Sequence, residues 1–105
     1  MGIRANLLAM LERGNDSALL RFSLAGEMLR EGETVGAIEH AEKAVEMQPD
    51  YSAAWKLLGK VYAAANDSPR AITAYGRGID VSEARGDKQA AKEMRVFLKR
   101  LQGDT

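Results

Sequence analysis

Five short breaker segments divide the chain into six stretches that each have the composition of an α-helix. The breakers have the sequences GND, EGET, QPD, NDSP and RGD. Between them Ala, Leu, Glu, Lys, Arg and Met dominate, and apolar residues recur three and four positions apart, as they do on helices. No stretch alternates apolar and polar residues as a half-buried strand would. The sequence therefore predicts an all-α protein. We expect its six helices at residues 3–13, 17–31, 34–47, 51–65, 69–85 and 87–102.

Each breaker offers residues that end one helix and begin the next. Gly14 and Asn66 tolerate the left-handed backbone conformation that follows many helix ends. Short polar side chains then accept a backbone N–H in the first turn of the next helix. The candidates for this capping role are Asp16, Thr34, Asp50, Ser68 and Asp87.

An internal repeat appears when the chain is shifted by 34 residues, which places 18–51 over 52–85. Both copies read as helix, short turn, helix, and residue type agrees at the small and apolar positions. The matched pairs include Leu24 with Leu58, Ala25 with Gly59, Ala37 with Ala71, Ile38 with Ile72 and Ala44 with Gly78. The chain is therefore expected to contain two successive helical hairpins.

The second copy resembles the tetratricopeptide repeat, a 34-residue helical hairpin with a Trp, Leu–Gly, Tyr pattern in its first helix. The residues that carry the resemblance are Trp55, Leu58, Gly59, Tyr62, Ala71, Tyr75 and Gly78. The first copy is more degraded, because Arg21 replaces the Trp and Met28 the Tyr, although it keeps the closing Pro49. The second copy has Glu83 where that proline would stand.

The resemblance implies a short right-handed superhelix of antiparallel helical hairpins, with repeats at 18–51 and 52–85. Helix 3–13 looks like half a repeat, and helix 87–102 looks like the polar-backed helix that caps such arrays. Its expected apolar stripe is Ala90, Met94, Phe97, Leu98 and Leu101. Within the second hairpin, we expect Gly59 and Ala71 to form the paired small surfaces where the two helices approach closely.

The family also implies where a ligand would lie, because its ligands usually lie along the first helices of successive hairpins. The predicted groove residues are Leu19, Phe22, Leu29, Arg30, Lys56 and Lys60. One branch of the family grips a peptide's C-terminal carboxylate, and Lys56 matches the first lysine of that branch. However, Lys60 stands where an Asn is expected, and Asp87 and Ala91 stand where basic residues are expected. The carboxylate clamp is therefore incomplete.

We expect a non-enzymatic adaptor or scaffold that binds a protein or peptide with apolar and acidic residues, at micromolar affinity or weaker. One alternative is a binder of nucleic acid or phosphate backbone through the last helix. A secondary basic patch lies on one face of that helix, at Lys88, Lys92, Arg95 and Lys99. No aromatic residue interleaves with the patch to stack on bases, so the solvated face of a capping helix is the simpler interpretation.

A self-assembling structural subunit is the other alternative. The formal net charge is zero, but residues 1–50 carry five Lys/Arg against nine Asp/Glu, a net of −4, and residues 51–105 carry ten against six, a net of +4. Such a split allows weak head-to-tail association between copies.

Several other classes of function find no support in the residues. There is no Cys, nucleophile elbow, phosphate loop or paired metal ligand, so we expect no catalysis, metal or cofactor. His40 is the single His, and we expect it to be solvated on an outer helix face. No apolar run approaches the length of a membrane span, and the N-terminus is a poor signal peptide. The expected compartment is the cytoplasm.

Overall fold

The computed structural model describes residues 2–103, and all six predicted helices are present in this range. Their ends agree with the predicted ends to within one residue. No residue between 2 and 103 lies in a strand, so the all-α prediction is confirmed. The helices are α1 (Ile3–Glu12), α2 (Ala18–Arg30), α3 (Thr34–Met47), α4 (Ser52–Ala64), α5 (Ser68–Ala84) and α6 (Lys88–Gly103).

Local sequence explains where the helices end and begin, although the side-chain caps of α2 and α5 each lie one residue away from the predicted ones. Gly14 and Asn66 have positive φ angles of 87° and 62°, as predicted. Asp87 accepts the backbone N–H of Ala90 at 3.1 Å, which also confirms a prediction. The cap of α2 is Ser17 rather than Asp16, and the cap of α5 is Asp67 rather than Ser68.

The predicted caps of α3 and α4 are wrong. Glu33 and Tyr51 occupy the cap positions there, and neither side chain accepts a capping hydrogen bond. Thr34 instead lies inside α3, and Asp50 lies one residue before the cap of α4. Packing against neighbouring helices therefore stabilises these two helix starts in place of a side-chain cap.

The helices pack as successive antiparallel hairpins around one continuous core. Helix α2 pairs with α3 and α4 pairs with α5, while α4 also touches both α2 and α6. The core is built mainly from small and aliphatic residues, including Leu24, Ala37, Ala44 and Val61, which are fully buried. Because alanines occupy so many contact positions, the helix axes can approach closely.

Helix α1 is the most weakly embedded of the six. It contributes no buried residue, although Leu7, Leu8 and Leu11 pack partly buried against the core. At its start, Arg4 forms ion pairs with Glu31 and Glu33 in the turn between α2 and α3. This half-repeat is therefore attached by one apolar edge and a small charge cluster.

Close approach within the second hairpin occurs at Gly59, which lies against the ring of Tyr75 on α5. A Cβ atom on Gly59 would lie 2.6 Å from Cε1 of the Tyr75 ring, and Ala71, the predicted small partner, is fully buried on the same helix as Tyr75. Gly78 is similarly crowded by Met94 and by Cβ of Trp55, at 3.0 Å. The small positions of the repeat thus admit large side chains from neighbouring helices.

Helix α6 covers the end of the second hairpin, as its apolar stripe predicts. Met94 is fully buried, while Ala90, Phe97, Leu98 and Leu101 pack partly buried against the core. Ala91, which is 1% exposed, joins them although the predicted stripe did not include it.

His40 is buried, so the prediction of a solvated outer-face histidine is wrong. Only 8% of the residue is exposed, and its Nδ1 lies 3.1 Å from Nη1 of Arg21. Since Arg21 can only donate, Nδ1 accepts and the proton of the neutral imidazole lies on Nε2. Burial, followed by the positive charge of Arg21, lowers the pKa of His40 below its ordinary value.

Arg21 itself is held by Asp16, whose carboxylate accepts its Nε at 2.8 Å. This pairing explains why Asp16 is not the cap of α2. Hydrogen bonding to Arg21 lowers the pKa of Asp16. Arg21, which stands at the repeat position of Trp55, therefore links Asp16 to His40 in one polar cluster.

Candidate functional site

An open depression of about 230 Å³ lies where α2 faces α4. Phe22 comes from α2, and the other lining residues come from one side of α4 at helical spacing. They are Ala53, Lys56, Leu57 and Lys60. The floor is therefore aromatic and aliphatic, and the two lysines form one rim.

The depression continues toward α1 along a second cavity of about 370 Å³, with which it shares Phe22 and Leu57. Ile3 and Leu7 of α1 form one wall of this second cavity, and Arg30 lies at its edge. Phe22 remains partly exposed between the two cavities, and its ring packs 5.2 Å from that of Tyr51. Helix α1 therefore borders this end of the surface and leaves Phe22 accessible.

At the other end, Ala53 is shared with a third cavity of about 470 Å³. Its walls are more polar and come from the turns before α4 and α6. The remaining lining residues are Gln48, Tyr51, Ser52, Arg85 and Asp87. Arg85 is positioned by a hydrogen bond of 2.9 Å from its Nη1 to the backbone oxygen of Asp50. We refer to these three neighbouring cavities, which share lining residues, as the inner groove.

The structure brings four of the six predicted groove residues to the inner groove. These are Phe22, Arg30, Lys56 and Lys60. Leu29 instead packs partly buried against the core. Leu19 is 64% exposed one turn before Phe22 on the same side of α2, and it lines none of the three cavities.

The two lysines differ in their surroundings. Lys56 Nζ lies 2.9 Å from Oε1 of Glu93 on α6, so its charge is compensated. Lys60 forms no ion pair with any residue between 2 and 103. The Nζ atoms of Lys56 and Lys60 lie 5.9 and 5.5 Å from the ring centroid of Phe97. The sequence predicted Phe97 in the apolar stripe of α6 but did not predict that it lies near these lysines. The repeat register could have indicated this proximity. Phe97 lies one repeat length, 34 residues, after Ala63, which is on the inner side of α4.

Two identifying aromatic residues of the second repeat, Trp55 and Tyr62, have structural contacts of their own. Trp55 Nε1 donates to the backbone oxygen of Pro49 at 2.7 Å, and Arg77 lies 5.0 Å over its ring. The Tyr62 hydroxyl donates to Glu42 on α3. Burial and that carboxylate raise the pKa of Tyr62 to about 12, so the phenol stays protonated.

The secondary basic patch is exposed throughout on α6. Arg95 forms an ion pair with Glu83 of α5, which reduces the positive charge of the patch. Its other three members, Lys88, Lys92 and Lys99, form no ion pair within the described part of the chain. They are spread along an exposed helix face and do not enclose a cavity.

Residues 2–103 contain neither a metal-binding cluster nor a membrane-spanning helix. No group of three or more His, Cys, Asp or Glu side chains there is arranged to hold a metal ion. None of the described helices is both long enough and apolar enough to cross a membrane.

Comparison with known sequences gives two matches that cover most of the fold. The sequence model of the tetratricopeptide repeat matches residues 28–87, which is more than half of the chain. A TPR repeat-containing protein of Pseudomonas aeruginosa is 49% identical over 92 residues, which is 88% of the length of each protein.

Solved structures agree with this match. A protein from Bordetella parapertussis, solved in solution, superimposes with a TM-score of 0.86 at 38% identity, covering 99% of this chain and 90% of that one. A tetratricopeptide repeat domain protein from Salinibacter ruber superimposes with a TM-score of 0.78 at 28% identity, covering 84% and 89%. The chain belongs to the tetratricopeptide repeat family, whose repeats generally mediate protein–protein interaction and whose members are generally non-catalytic scaffolds.

Proposed function

We propose that this chain is a protein-interaction module that binds an extended segment of a partner protein in the inner groove. The observation that carries the proposal is that three neighbouring cavities share lining residues along α4. They share Phe22 and Leu57 on one side and Ala53 on the other. We infer that a partner segment runs past these cavities in turn, from the α1 edge to the turn before α6.

The lining residues indicate the chemistry of that segment. Near α1 the walls are apolar at Ile3, Leu7 and Leu57, which suits a large aliphatic or aromatic side chain. In the middle, Lys60 offers a positive charge without an ion-pair partner among the described residues. A segment with an apolar residue followed by an acidic one matches this order.

The size of the groove limits the affinity. Along α4, the seven helical steps from Ala53 to Lys60 cover about 10 Å, which corresponds to about three residues of extended peptide. With the two flanking cavities the groove holds a short peptide only. We therefore expect dissociation constants in the micromolar range or weaker, about −8 kcal/mol or less in magnitude.

The test blocks the groove where two cavities meet. A library of random peptides displayed on phage is selected against the immobilised chain, and the selected peptides are measured with two variants. Ala53→Trp places a bulky ring at the junction on an exposed helical position. Ala5→Trp makes the same change on an exposed position of α1 that faces away from Ile3 and Leu7.

Ala53→Trp is expected to weaken binding at least about tenfold, whereas Ala5→Trp should leave it within about twofold, because only the first fills the path of the peptide. Equal binding by both variants would contradict the proposal. So would a selection that yields no peptide above the background of an unrelated helical protein.

A further inference from the structure

Three cations from two helices converge on the single ring of Phe97. Lys56 Nζ and Lys60 Nζ of α4 lie 5.9 and 5.5 Å from the ring centroid, and Arg100 Cζ of α6 lies 6.0 Å from it. The ring is partly buried and is held from α5 by Tyr75, whose centroid is 5.6 Å away. We refer to Phe97 with these three cations as the Phe97 cluster.

The Phe97 cluster carries more positive charge than its surroundings compensate. Glu93 pairs with Lys56 at 2.9 Å, and it is the single carboxylate in contact with the three cations among residues 2–103. Lys60 and Arg100 have ring contacts but no ion pair in that range. Like charges held this close repel, and an exposed cation–ring contact offsets only part of that repulsion.

Lys60 and Arg100 approach the same ring from α4 and α6. Their charged ends are separated by no more than the sum of their distances to the shared centroid. Both side chains are long and exposed, so they can close around a ligand at little steric cost. Lys60 also lines the central cavity of the inner groove, so a ligand in the groove passes beside this pair.

We propose that Lys60 and Arg100 together bind the carboxylate of an Asp or Glu side chain in the partner segment, next to the ring of Phe97. This inference rests on the proposed function, because it assigns one position of a peptide in the inner groove. The protein itself contains an example of the interaction, since Glu93 already neutralises Lys56 beside the same ring. The partner's carboxylate would do the same for the two remaining cations.

This site differs from the carboxylate clamp found in one branch of the family. That branch uses basic residues on the last helix at the positions of Asp87 and Ala91, and Ala91 is 1% exposed here. Arg100 lies more than two turns further along α6. The aliphatic part of a Glu side chain can pack against the ring of Phe97 while its carboxylate reaches Lys60 and Arg100.

The test uses small probes, so that it does not depend on finding a partner. The 15N-labelled protein is titrated at low ionic strength with N-acetylglutamate amide, with N-acetylglutamine amide and with inorganic phosphate. Resonances of Lys60, Phe97 and Arg100 are expected to shift and saturate with the glutamate probe and to stay unchanged with the glutamine probe.

Neighbouring charges on α6 provide the matched control. Arg100→Gln is expected to weaken the glutamate response at least about fivefold, whereas Lys99→Gln, which removes the same charge from the adjacent position, should change it less than about twofold. Equal effects of the two variants would overturn the proposal, because they would show a diffuse attraction to the basic helix. A phosphate response without a glutamate response would overturn it too, in favour of a phosphate site.

Failure of this inference can be distinguished from failure of the proposed function. If groove-binding peptides lose affinity with Ala53→Trp but not with Arg100→Gln, the groove stands and the carboxylate position is wrong. If the glutamate probe binds at the Phe97 cluster but no peptide responds to Ala53→Trp, the groove proposal fails alone.

Discussion

Replacing Gly59 by Ala tests the close contact between α4 and α5. The added Cβ would lie 2.6 Å from Cε1 and 2.7 Å from Cδ1 and Cζ of Tyr75. The ring cannot withdraw easily, because Tyr75 is 2% exposed and stacks on Phe97 with centroids 5.6 Å apart. Overpacking of this kind costs about 1–3 kcal/mol. In a helix interior, Ala is also favoured over Gly by about 1 kcal/mol.

The net change expected for Gly59→Ala is therefore a loss of about 0–2 kcal/mol in the free energy of unfolding. Gly76→Ala is the matched control, because Gly76 lies in the interior of α5 and a Cβ there meets nothing within 4 Å. That control should gain up to about 1 kcal/mol from helix propensity alone. The difference between the two variants isolates the steric cost, about 1–3 kcal/mol.

Urea unfolding followed by far-UV circular dichroism gives both free energies from the transition midpoint and slope. If Gly59→Ala stabilises the protein as much as Gly76→Ala does, the contact with Tyr75 does not explain the glycine. A large change in the slope for either variant would indicate an altered unfolded or native ensemble, so the comparison requires equal slopes.

Three further predictions concern stability, pH and self-association. Ser82→Ala should raise the free energy of unfolding in urea by about 0.5–1 kcal/mol, because Ser82 Oγ is buried without a hydrogen-bond partner and Ala is the better helix former. Destabilisation would contradict this reasoning, because it would mean that Ser82 Oγ has a hydrogen-bond partner. Because the pKa of His40 is lowered in the folded protein, the unfolded chain binds this proton at higher pH than the folded chain does. The free energy of unfolding should therefore fall as pH drops below about 6.5, by at most about 1.4 kcal/mol per pH unit. His40→Gln should remove this slope. If the charge split causes association, added salt should reduce any dimer seen by sedimentation, and a salt-independent dimer would contradict that cause.

Helix positions could be predicted from the sequence because local residues decide them. The five breakers separate the helices with errors of one residue at most, since residues such as Gly14 and Asn66 are compatible with the left-handed conformation at a helix end. The capping residues were harder to predict. Asp16 and Ser17 are both good caps, and a long-range contact decides between them, because Arg21 binds the Asp16 carboxylate.

The burial of His40 could have been predicted from the repeat register. A shift of 34 residues places His40 on Ala74, which is 2% exposed. Residue type misled the prediction, because a histidine flanked by charged residues is normally on the surface. In the first repeat, Arg21 stands where the family has a Trp, and it provides a hydrogen-bonding partner for the buried imidazole of His40.

The candidate site could be predicted only in part. Phe22, Lys56 and Lys60 lie on the inner sides of α2 and α4 because helical periodicity determines which residues share a side. The pairing of Lys56 with Glu93 and the approach of Arg100 to Phe97 depend on how α6 packs across α4. Sequence separation alone does not give that packing, so the ion pair that distinguishes Lys56 from Lys60 could not be predicted.

The central claim is that partner segments bind in the inner groove, and chemical-shift mapping of a selected peptide on the 15N-labelled protein tests it most directly. The account predicts the largest changes at Phe22, Ala53 and Leu57, with small changes on the exposed face of α3 around Glu39. Changes concentrated at Glu39 and its neighbours, with Phe22 and Ala53 unaffected by a saturating peptide, would contradict the claim.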